Sequence, residues 1–432
     1  MKRTLVAELG TTGDDDVRLC GWAHAVLVDG DRWSVTLRDH TGTVPLVPGH
    51  DAGGELAEEV GGLRRESAIE AVGKVGRAPG AGQPQVLVAR LTVAGPATAE
   101  PPIGEGSTLE ERLDWRFLDL RHPRNRLVFE VQTTLEAAMR EVWSDHGFVE
   151  IHSPKLKPTP NKSGTELFHV DHFGRPAYLA PSPQFYKQMA MASGFERVFE
   201  VGPAFRAQPS PTARHDSEFT SVDVEMSWIE SHEDVMAFEE VLLRHALAAV
   251  HKEHGDQIAR WFGQAVVVPD LPFPRVTLDE AKEAVRASGW PVDPGADDLD
   301  PEGERRLSEV VARRHGHEFV FVTDYPELAR PYYHMRCEDD SVATRSFDLL
   351  WKGLEITSGA QREHRYDRLV NQARLRGLPV RAMSGYLDFF RFGCPPHGGF
   401  GIGLSRTLMS LLGIENVREA TYLFRGPDRL TP

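Results

Sequence analysis

The chain has 432 residues, 41% hydrophobic and 26% charged, a composition typical of a globular protein of two or three domains rather than a disordered one. Its formal net charge of −15 excludes a protein that binds nucleic acid through overall charge, because phosphates would be repelled. Three widely separated cysteines exclude a disulfide framework, and without an apolar run long enough for a secretion signal or a membrane span we expect a cytoplasmic protein.

The first hundred residues contain short strand-like runs around one predicted helix. The runs cover residues 17–22, 33–39, 43–47 and 85–94, and the helix covers 54–67. Pro45 inside one run indicates an edge strand or a bulge. Several short strands and one helix within about 95 residues predict a small closed barrel.

The rest of the chain mixes helices and strands without a regular βαβ period. Residues 95–106 are rich in Pro, Gly and small residues, which is typical of a linker. A helix is predicted from about Asn125 to His146, followed by a strand at 148–151. The mixture favours an α+β domain with an antiparallel sheet. We expect a barrel over 1–97, a hinge over 98–122 and a second domain over 123–432, with a helical insertion at about 254–345 that contains a strand at 318–323.

Two segments have the residues of a phosphate site. Residues 201–207 and 214–219 read as the two sides of a loop that carries Arg206 and Arg214, and arginine offers paired donors to phosphate oxygens. Residues 398–406 form a glycine-rich run that leads into an apolar helix ending at Leu412, with Arg406 in its first turns. The alternatives are a solvated hairpin with a surface salt bridge, and glycines that serve tight helix–strand packing.

Two other segments suggest sites for a metal ion and a carboxylate. Glu355 and the Ser358 hydroxyl are oxygen ligands suited to Mg²⁺ beside phosphates, and Asp348 could join them if a turn separates two strands. Gln184 and Lys187 share one face of a predicted helix, where an amide and a cation could hold a carboxylate. The alternatives are a buried ion pair and a solvated helix face.

Together and in this order, these segments resemble class II aminoacyl-tRNA synthetases, and more narrowly the aspartyl-tRNA synthetases of the archaeal type. The resemblance covers nearly the whole chain, including a hinge at 114–121 and residues 425–432, and segments 182–189 and 359–364 resemble the aspartyl rather than the asparaginyl type. It implies an OB-type barrel, a class II catalytic domain, aspartate, ATP and Mg²⁺, and a homodimer. The implied acceptor is tRNA-Asp, or both tRNA-Asp and tRNA-Asn.

The resemblance also implies residue roles. Those for ATP are Arg206 at the α-phosphate and the amino acid carboxylate, Arg214 and His215 at the outer phosphates, Arg406 at the γ-phosphate, Phe219 on adenine, and Gly403. Those for the amino acid are Lys187 and Arg362 on the side-chain carboxylate, with Ser182, Gln184, Asp223 and Ser358 nearby. Those for Mg²⁺ are Glu355, Ser358 and Asp348. Arg206 and Arg406 would be catalytic by positioning and charge neutralisation, and Pro154 would lie in the homodimer interface. No anticodon-binding residue is assigned.

Several positions depart from the family pattern. In the catalytic domain they are Gln208 and Ser405 where Glu is usual, Pro181 where Gln is usual, and Lys162 where an acid meets the substrate ammonium. In the barrel they are Leu27, Ser34 and Pro45, where the family has an arginine, a stacking phenylalanine and a base-reading glutamine. A lost stacking ring costs roughly 1–3 kcal/mol per base.

Three hypotheses follow. The first is a working aspartate–tRNA ligase. The second is a paralogue that forms an aminoacyl-adenylate with a different acid, or passes it to a small molecule or carrier protein. The third is a non-catalytic binding or regulatory homologue, and the retained Arg206, Arg406, Glu355, Lys187 and Arg362 argue against it.

Overall fold

The computed structural model describes residues 1–11, 16–29, 32–49, 54–78, 83–158, 167–209, 212–338 and 342–432. The chain divides into two compact units, one of residues 1–126 with Pro432 and one of residues 127–431. The predicted hinge at 98–122 falls inside the first unit. In the described part of the chain, no helix is long and apolar enough to cross a membrane.

The first unit contains the predicted closed barrel. Its elements are β1 (Asp16–Asp29), β2 (Arg32–Arg38), β3 (Thr43–Pro48), α1 (Gly54–Gly61), β4 (Ala68–Arg77), β5 (Pro84–Gly95), α2 (Leu109–Asp114) and α3 (Arg116–Asp119). The strands close in the order β1-β2-β3-β5-β4. Alternate residues such as Val35 and Leu37 point into the buried core. The sequence reading missed β4, whose Ala and Gly residues are poor strand formers, although Gly73 is required because a Cβ there would lie 2.1 Å from the Leu87 carbonyl oxygen.

The three barrel positions that depart from the family pattern lie on one face. Leu27 pairs with Ser34 across β1 and β2, and Thr36 pairs with Pro45 across β2 and β3. Ser34 and Thr36 are two residues apart on β2, so their side chains point to the same face of the barrel sheet. Their cross-strand partners Leu27 and Pro45 therefore lie on that face as well. The prediction that Pro45 marks an edge or a bulge is wrong. β3 is an inner strand, and it pairs with β5 only from Leu46 onward, so the missing N–H of Pro45 interrupts no ladder hydrogen bond there.

The second unit is an α+β domain, as predicted. It begins within α4 (Pro123–Asp145), whose first turn belongs to the first unit. Its first half then contains β6 (Val149–Glu150), β7 (Leu156–Lys157), β8 (His169–His172), β9 (Arg175–Leu179), α5 (Gln184–Ala192), β10 (Arg197–Phe205), β11 (Glu218–Ser227) and α6 (His232–Phe262). Its second half contains β12 (Arg275–Thr277), α7 (Leu278–Ala287), α8 (Pro301–His315), β13 (Phe319–Thr323), β14 (Ser346–Trp351), β15 (Leu354–Gln361), α9 (Tyr366–Leu375), α10 (Ser384–Arg391), β16 (His397–Gly403), α11 (Leu404–Leu412) and α12 (Val417–Ala420).

An eight-stranded sheet organises this unit. Its order is β12-β13-β14-β15-β16-β11-β10-β6, antiparallel except for the parallel pairs at the two edges. A small second sheet has the order β7-β9-β8. Helices α4, α6 and α11 pack on one face of the large sheet and form the main hydrophobic core with it. On β11, Val222 and Val224 enter this core, so Asp223 and Glu225 point to the opposite face.

The range predicted as a helical insertion is built into the sheet. Residues 254–262 are the last turns of α6, and β12 and β13 extend the large sheet at one edge. Helices α7 and α8 form a separate small core with β13 through residues such as Leu278, Leu307 and Val320. This arrangement brings the first turn of α8 close to the open face of the sheet.

Candidate active site

A cavity of about 220 Å³ lies on the open face of the large sheet. The predicted site residues that line it are Ser182, Gln184, Lys187, Arg206, Arg214, His215, Phe219, Asp223, Glu355, Ser358, Arg362, Gly403 and Arg406. They come from α5, from β10 and β11 with the loop between them, from β15 and from the β16–α11 junction. The fold therefore brings four separate sequence segments to one place.

One end of the cavity concentrates positive charge. Arg206 lies over the Phe219 ring, with its guanidinium carbon 5.1 Å from the ring centroid. Burial and then the neighbouring Arg406 lower the pKa of Arg206. Arg406 donates to His215 Nε2 at 3.1 Å, and burial and Arg406 lower the pKa of His215, which favours the neutral ring. Two guanidiniums beside an aromatic ring suit a purine nucleotide with a polyphosphate chain.

Two acidic residues hold the cations of this end. Arg406 Nη1 donates to the Glu355 backbone carbonyl at 3.2 Å and lies 3.6 Å from the Glu355 carboxylate. Arg214 Nη1 forms a 3.0 Å ion pair with Glu304, in the first turn of α8. Glu304 was not predicted as a site residue, because nothing in the sequence shows that α8 reaches the loop between β10 and β11.

The opposite end contains two cations balanced by two carboxylates. Lys187 Nζ lies 2.9 Å from Asp223 Oδ1 and 3.3 Å from Glu225 Oε2, and it donates to the Phe400 carbonyl at 3.0 Å. Arg362 Nε donates to Glu225 Oε1 at 3.0 Å and Nη2 to Glu225 Oε2 at 3.3 Å. We call Lys187, Arg362, Asp223 and Glu225 the charged quartet, and its formal charges sum to zero.

Glu225 is the quartet residue that the sequence reading did not assign to the site. Its side chain is 0% exposed and bridges the two cations. Burial raises the pKa of Glu225, but Arg362 and Lys187 outweigh burial and hold it below its ordinary value. The sequence contained a signal, because Asp223 and Glu225 are two residues apart on a strand and alternate with the apolar residues Val222, Val224 and Met226.

Glu355 and Ser358 reach the cavity together because of a β-bulge. Glu355 pairs with Leu350 and Thr357 with Leu349, so Ile356 has no partner on β14. An extra residue on one strand shifts the alternation of side chains. Glu355 and Ser358 are three residues apart, a spacing that would place them on opposite faces of a regular strand, yet both line the cavity.

Asp348 lies outside the cavity wall, which differs from the predicted three-residue metal set. Its carboxylate is paired with Arg330, which also donates to the Ser358 hydroxyl at 3.3 Å. Arg330 in turn stacks on the Tyr325 ring, with 3.6 Å between its guanidinium carbon and the ring centroid. The cation next to Asp348 is thus an arginine, and in the described part of the chain no group of three or more His, Cys, Asp or Glu side chains could hold a metal ion.

Glu355 and Ser358 still fit a Mg²⁺ ion held beside phosphates. The Glu355 side chain is 35% exposed, and it lines the cavity. Desolvation and then the Asp348 carboxylate raise its pKa to about 7, so it ionises most readily near a cation. Mg²⁺ uses one or two protein oxygens plus phosphates and water, so this smaller set suffices.

The positions that depart from the family pattern have different locations. Gln208 and Ser405 line the cavity. Pro181 is buried and immediately precedes Ser182, which lines the cavity. Lys162 lies outside the described residues. Residues that line the cavity but were not predicted include Asp216, Tyr333 and His334. Burial raises the pKa of Asp216 to about 6.

Known proteins resemble the chain over nearly its full length. The family model for class II tRNA synthetases (D, K and N) matches residues 108–425. The aspartate–tRNA(Asp/Asn) ligase of Methanopyrus kandleri is 43% identical over 428 residues, 97% of this chain and 96% of that protein. The aspartate–tRNA(Asp) ligase of Thermococcus kodakarensis is 38% identical over 422 residues, 96% of each chain. The crystal structure of Pyrococcus horikoshii asparaginyl-tRNA synthetase with asparaginyl-adenylate aligns with a TM-score of 0.92 and 31% identity over 100% of both chains.

Proposed function

The chain belongs to the class II tRNA synthetases of the D, K and N group, and from this we propose that it activates aspartate with ATP and transfers it to tRNA. The observation that carries the choice of aspartate is the charged quartet. Lys187 and Arg362 only donate hydrogen bonds, and both line the cavity. A side-chain carboxylate accepts from Arg362 and is attracted by the Lys187 ammonium, whereas the NH₂ group of an amide would face two positive charges.

The reaction uses the two ends of the cavity. With the side chain of aspartate at the quartet, its α-carboxylate oxygen attacks the α-phosphorus of ATP. The new bond joins that oxygen to phosphorus, the bond to the β-phosphate oxygen breaks, and pyrophosphate leaves. Arg206 stabilises the charge that develops on the α-phosphate, Arg406 and Arg214 hold the outer phosphates, and the Phe219 ring supports adenine. A ribose hydroxyl of tRNA then attacks the aspartyl carbonyl and AMP leaves.

Glu355 and Ser358 are the residues that would hold Mg²⁺ on the outer phosphates. The ion supplies positive charge that offsets the charge of the leaving pyrophosphate. Arg330, which is paired with Asp348, donates to the Ser358 hydroxyl and fixes its position. Asp348 therefore acts through Arg330 and not as a ligand.

The partners belong to the same proposal. We propose tRNA-Asp, or both tRNA-Asp and tRNA-Asn, as acceptors, a homodimer with the exposed Pro154 in its interface, and a cytoplasmic location. The barrel face of Leu27, Ser34 and Pro45 supports a second candidate, in which the adenylate is passed to an acceptor other than tRNA. Leu27 is 70% exposed, and none of these three side chains offers the charge, ring or amide that reads an anticodon.

The deciding experiment is ATP–pyrophosphate exchange over a panel of amino acids, followed by transfer to total tRNA. We expect exchange with aspartate, and its loss by at least 100-fold in Arg406→Ala, because a phosphate contact made in the transition state is removed. Arg313→Ala is the control, because its side chain is 65% exposed on α8 and does not line the cavity. Exchange without charging of tRNA would favour the second candidate, and no exchange with any acid would contradict both.

A further inference from the structure

His334 is a cavity residue with no role in the account above. It lies on the segment between β13 and β14 and is 5% exposed. Its Nε2 lies 3.1 Å from Arg362 Nη1. The main chain of His334 is fixed on both sides, since its N–H donates to the Pro331 carbonyl at 3.0 Å and its carbonyl accepts from Gln372 at 3.1 Å.

The contact with Arg362 determines where the imidazole carries its proton. A guanidinium has donors only, so Nε2 must be the unprotonated acceptor and Nδ1 must carry the hydrogen. Nδ1 has no hydrogen-bond partner among the described residues. Burial and the neighbouring cations, led by Arg362, keep the pKa of His334 well below its ordinary value, so the ring is neutral.

Arg362 has few donors left for a substrate. Its Nε–H and one Nη2–H go to Glu225, and the other Nη2–H goes to the Gly399 carbonyl at 2.8 Å. Nη1 has two hydrogens, and one of them goes to His334. Among the described residues, one N–H of Nη1 therefore remains for a group in the cavity, and the nitrogen that carries it is the one that His334 holds.

We propose that His334 is a positioning residue for substrate specificity: by accepting one N–H of Arg362 Nη1 it leaves a single N–H of Arg362, in a set direction, for the side-chain carboxylate of the amino acid. This inference rests on the proposed function, because it assumes that the side chain of aspartate lies at the charged quartet. The remaining N–H of Arg362 meets one oxygen of a carboxylate. The Lys187 ammonium already has partners in Asp223, Glu225 and the Phe400 carbonyl, so it attracts the second oxygen by its charge and gives no such attraction to the NH₂ group of an amide.

Loss of the acceptor on His334 should weaken this selection. Without it, Arg362 Nη1 has two unmatched hydrogens instead of one, while Glu225 and the Gly399 carbonyl still hold the guanidinium plane. The single oxygen of an amide can then accept from either hydrogen, so the site discriminates less between an amide and a carboxylate. A hydrogen bond to a charged group is worth about 1.5–3 kcal/mol. The corresponding change in KM for aspartate is roughly 10- to 100-fold.

Three variants separate the acceptor from the volume of the ring. In His334→Gln the side-chain oxygen reaches the position of Nε2, in His334→Asn it reaches only that of Nδ1, and His334→Leu has no acceptor. The measurements are KM for L-aspartate, KM for ATP, kcat and the inhibition constant of L-asparagine in pyrophosphate exchange, with thermal unfolding to show that each variant folds. We expect His334→Leu and His334→Asn to raise KM for aspartate at least tenfold and lower the preference over asparagine. His334→Gln should restore both to within about threefold, and KM for ATP should stay within twofold throughout.

The possible results are distinct. Equal losses in all three variants would assign His334 to packing and overturn the proposal, and so would a parental KM and parental selectivity in His334→Leu. If the parent protein exchanges with aspartate, either of these results leaves the proposed function intact. If the parent exchanges only with another acid or with none, the proposed function fails and the role of His334 fails with it.

Discussion

Glu225 is a buried residue that does not line the cavity, yet it holds the two cations at one end of it. Two cations side by side would repel each other by several kcal/mol in a low-dielectric site. Glu225 contacts both of them, at 3.3 Å from Lys187 and 3.0 Å from Arg362. The carboxylate is what allows an ammonium and a guanidinium to share one end of the cavity.

Glu225→Gln should therefore destabilise the fold as well as the site. Breaking a buried ion pair by removing one partner costs about 3–5 kcal/mol, and we expect a loss of this size in the free energy of unfolding measured with urea at pH 7. Arg362 and Lys187 hold the pKa of Glu225 below its ordinary value of 4.5 despite burial. The stabilisation is therefore fully present above about pH 4.5 and is lost as the pH falls through the folded-state pKa.

The matched control for this variant is Glu230→Gln. Glu230 is exposed and lies just beyond the end of the same strand. We expect it to change the free energy of unfolding by less than about 0.5 kcal/mol. A Glu225→Gln variant as stable as this control at pH 7 would contradict the bridging role of Glu225.

Helix α8 contacts the phosphate end of the cavity through Glu304. Its first-turn residue Glu304 holds Arg214 at 3.0 Å, and burial raises the pKa of Glu304. In the proposed site ATP would share or displace this partner, since its outer phosphates and Glu304 are both anions. We therefore expect the helix to set part of the affinity for ATP from outside the segments that resemble a nucleotide site.

Glu304→Gln should lower KM for ATP about threefold in pyrophosphate exchange. The amide still accepts a hydrogen bond from Arg214, but it no longer competes with phosphate as an anion, and a partly exposed pair contributes only about 0.2–1 kcal/mol. Glu302→Gln, in the same turn but paired with Arg305 and Arg306, is the control and should leave KM unchanged. An increase in KM for ATP with Glu304→Gln would instead assign Glu304 to holding Arg214 in its productive orientation.

At the scale of the whole molecule, the two units are expected to divide the work. The cavity lies entirely within residues 127–431, and the barrel face with the departures lies within residues 1–126. Changes on that face should therefore alter transfer to tRNA and leave exchange unaffected.

Ser34→Phe tests this division directly. A ring at this position could stack on an anticodon base, worth about 1–3 kcal/mol, so we expect KM for tRNA to fall at least fivefold. Exchange with aspartate should stay within experimental error of the parent, and Ser34→Ala is the control for the loss of the hydroxyl. An unchanged KM for tRNA would show that this face of the barrel does not meet the anticodon.

Much of the fold and most of the cavity could be predicted from the sequence, and the exceptions have physical causes. Alternating runs predicted β1, β2, β3 and β5. In β4 two Ala and two Gly residues interrupt the apolar pattern, and Gly73 is there because the strand approaches its neighbour closely. The odd spacing of Glu355 and Ser358 depends on a bulge, which is a property of strand pairing rather than of one segment. From the range 254–345, His334 lines the cavity, and Glu304 and Arg330 contact the lining residues Arg214 and Ser358. Only the tertiary structure shows that this range borders the cavity.

The bulge at Ile356 has a further consequence for how such a site is inherited. The chemistry at Glu355 and Ser358 can change by single substitutions, one position at a time. Their shared orientation depends on the number of residues in two paired strands, so it changes only when a residue is inserted or deleted. The orientation of these two positions is thus harder to lose by mutation than the side chains themselves. A descendant that lost the Glu355 carboxylate or the Ser358 hydroxyl by a point mutation could regain the site by one reversion.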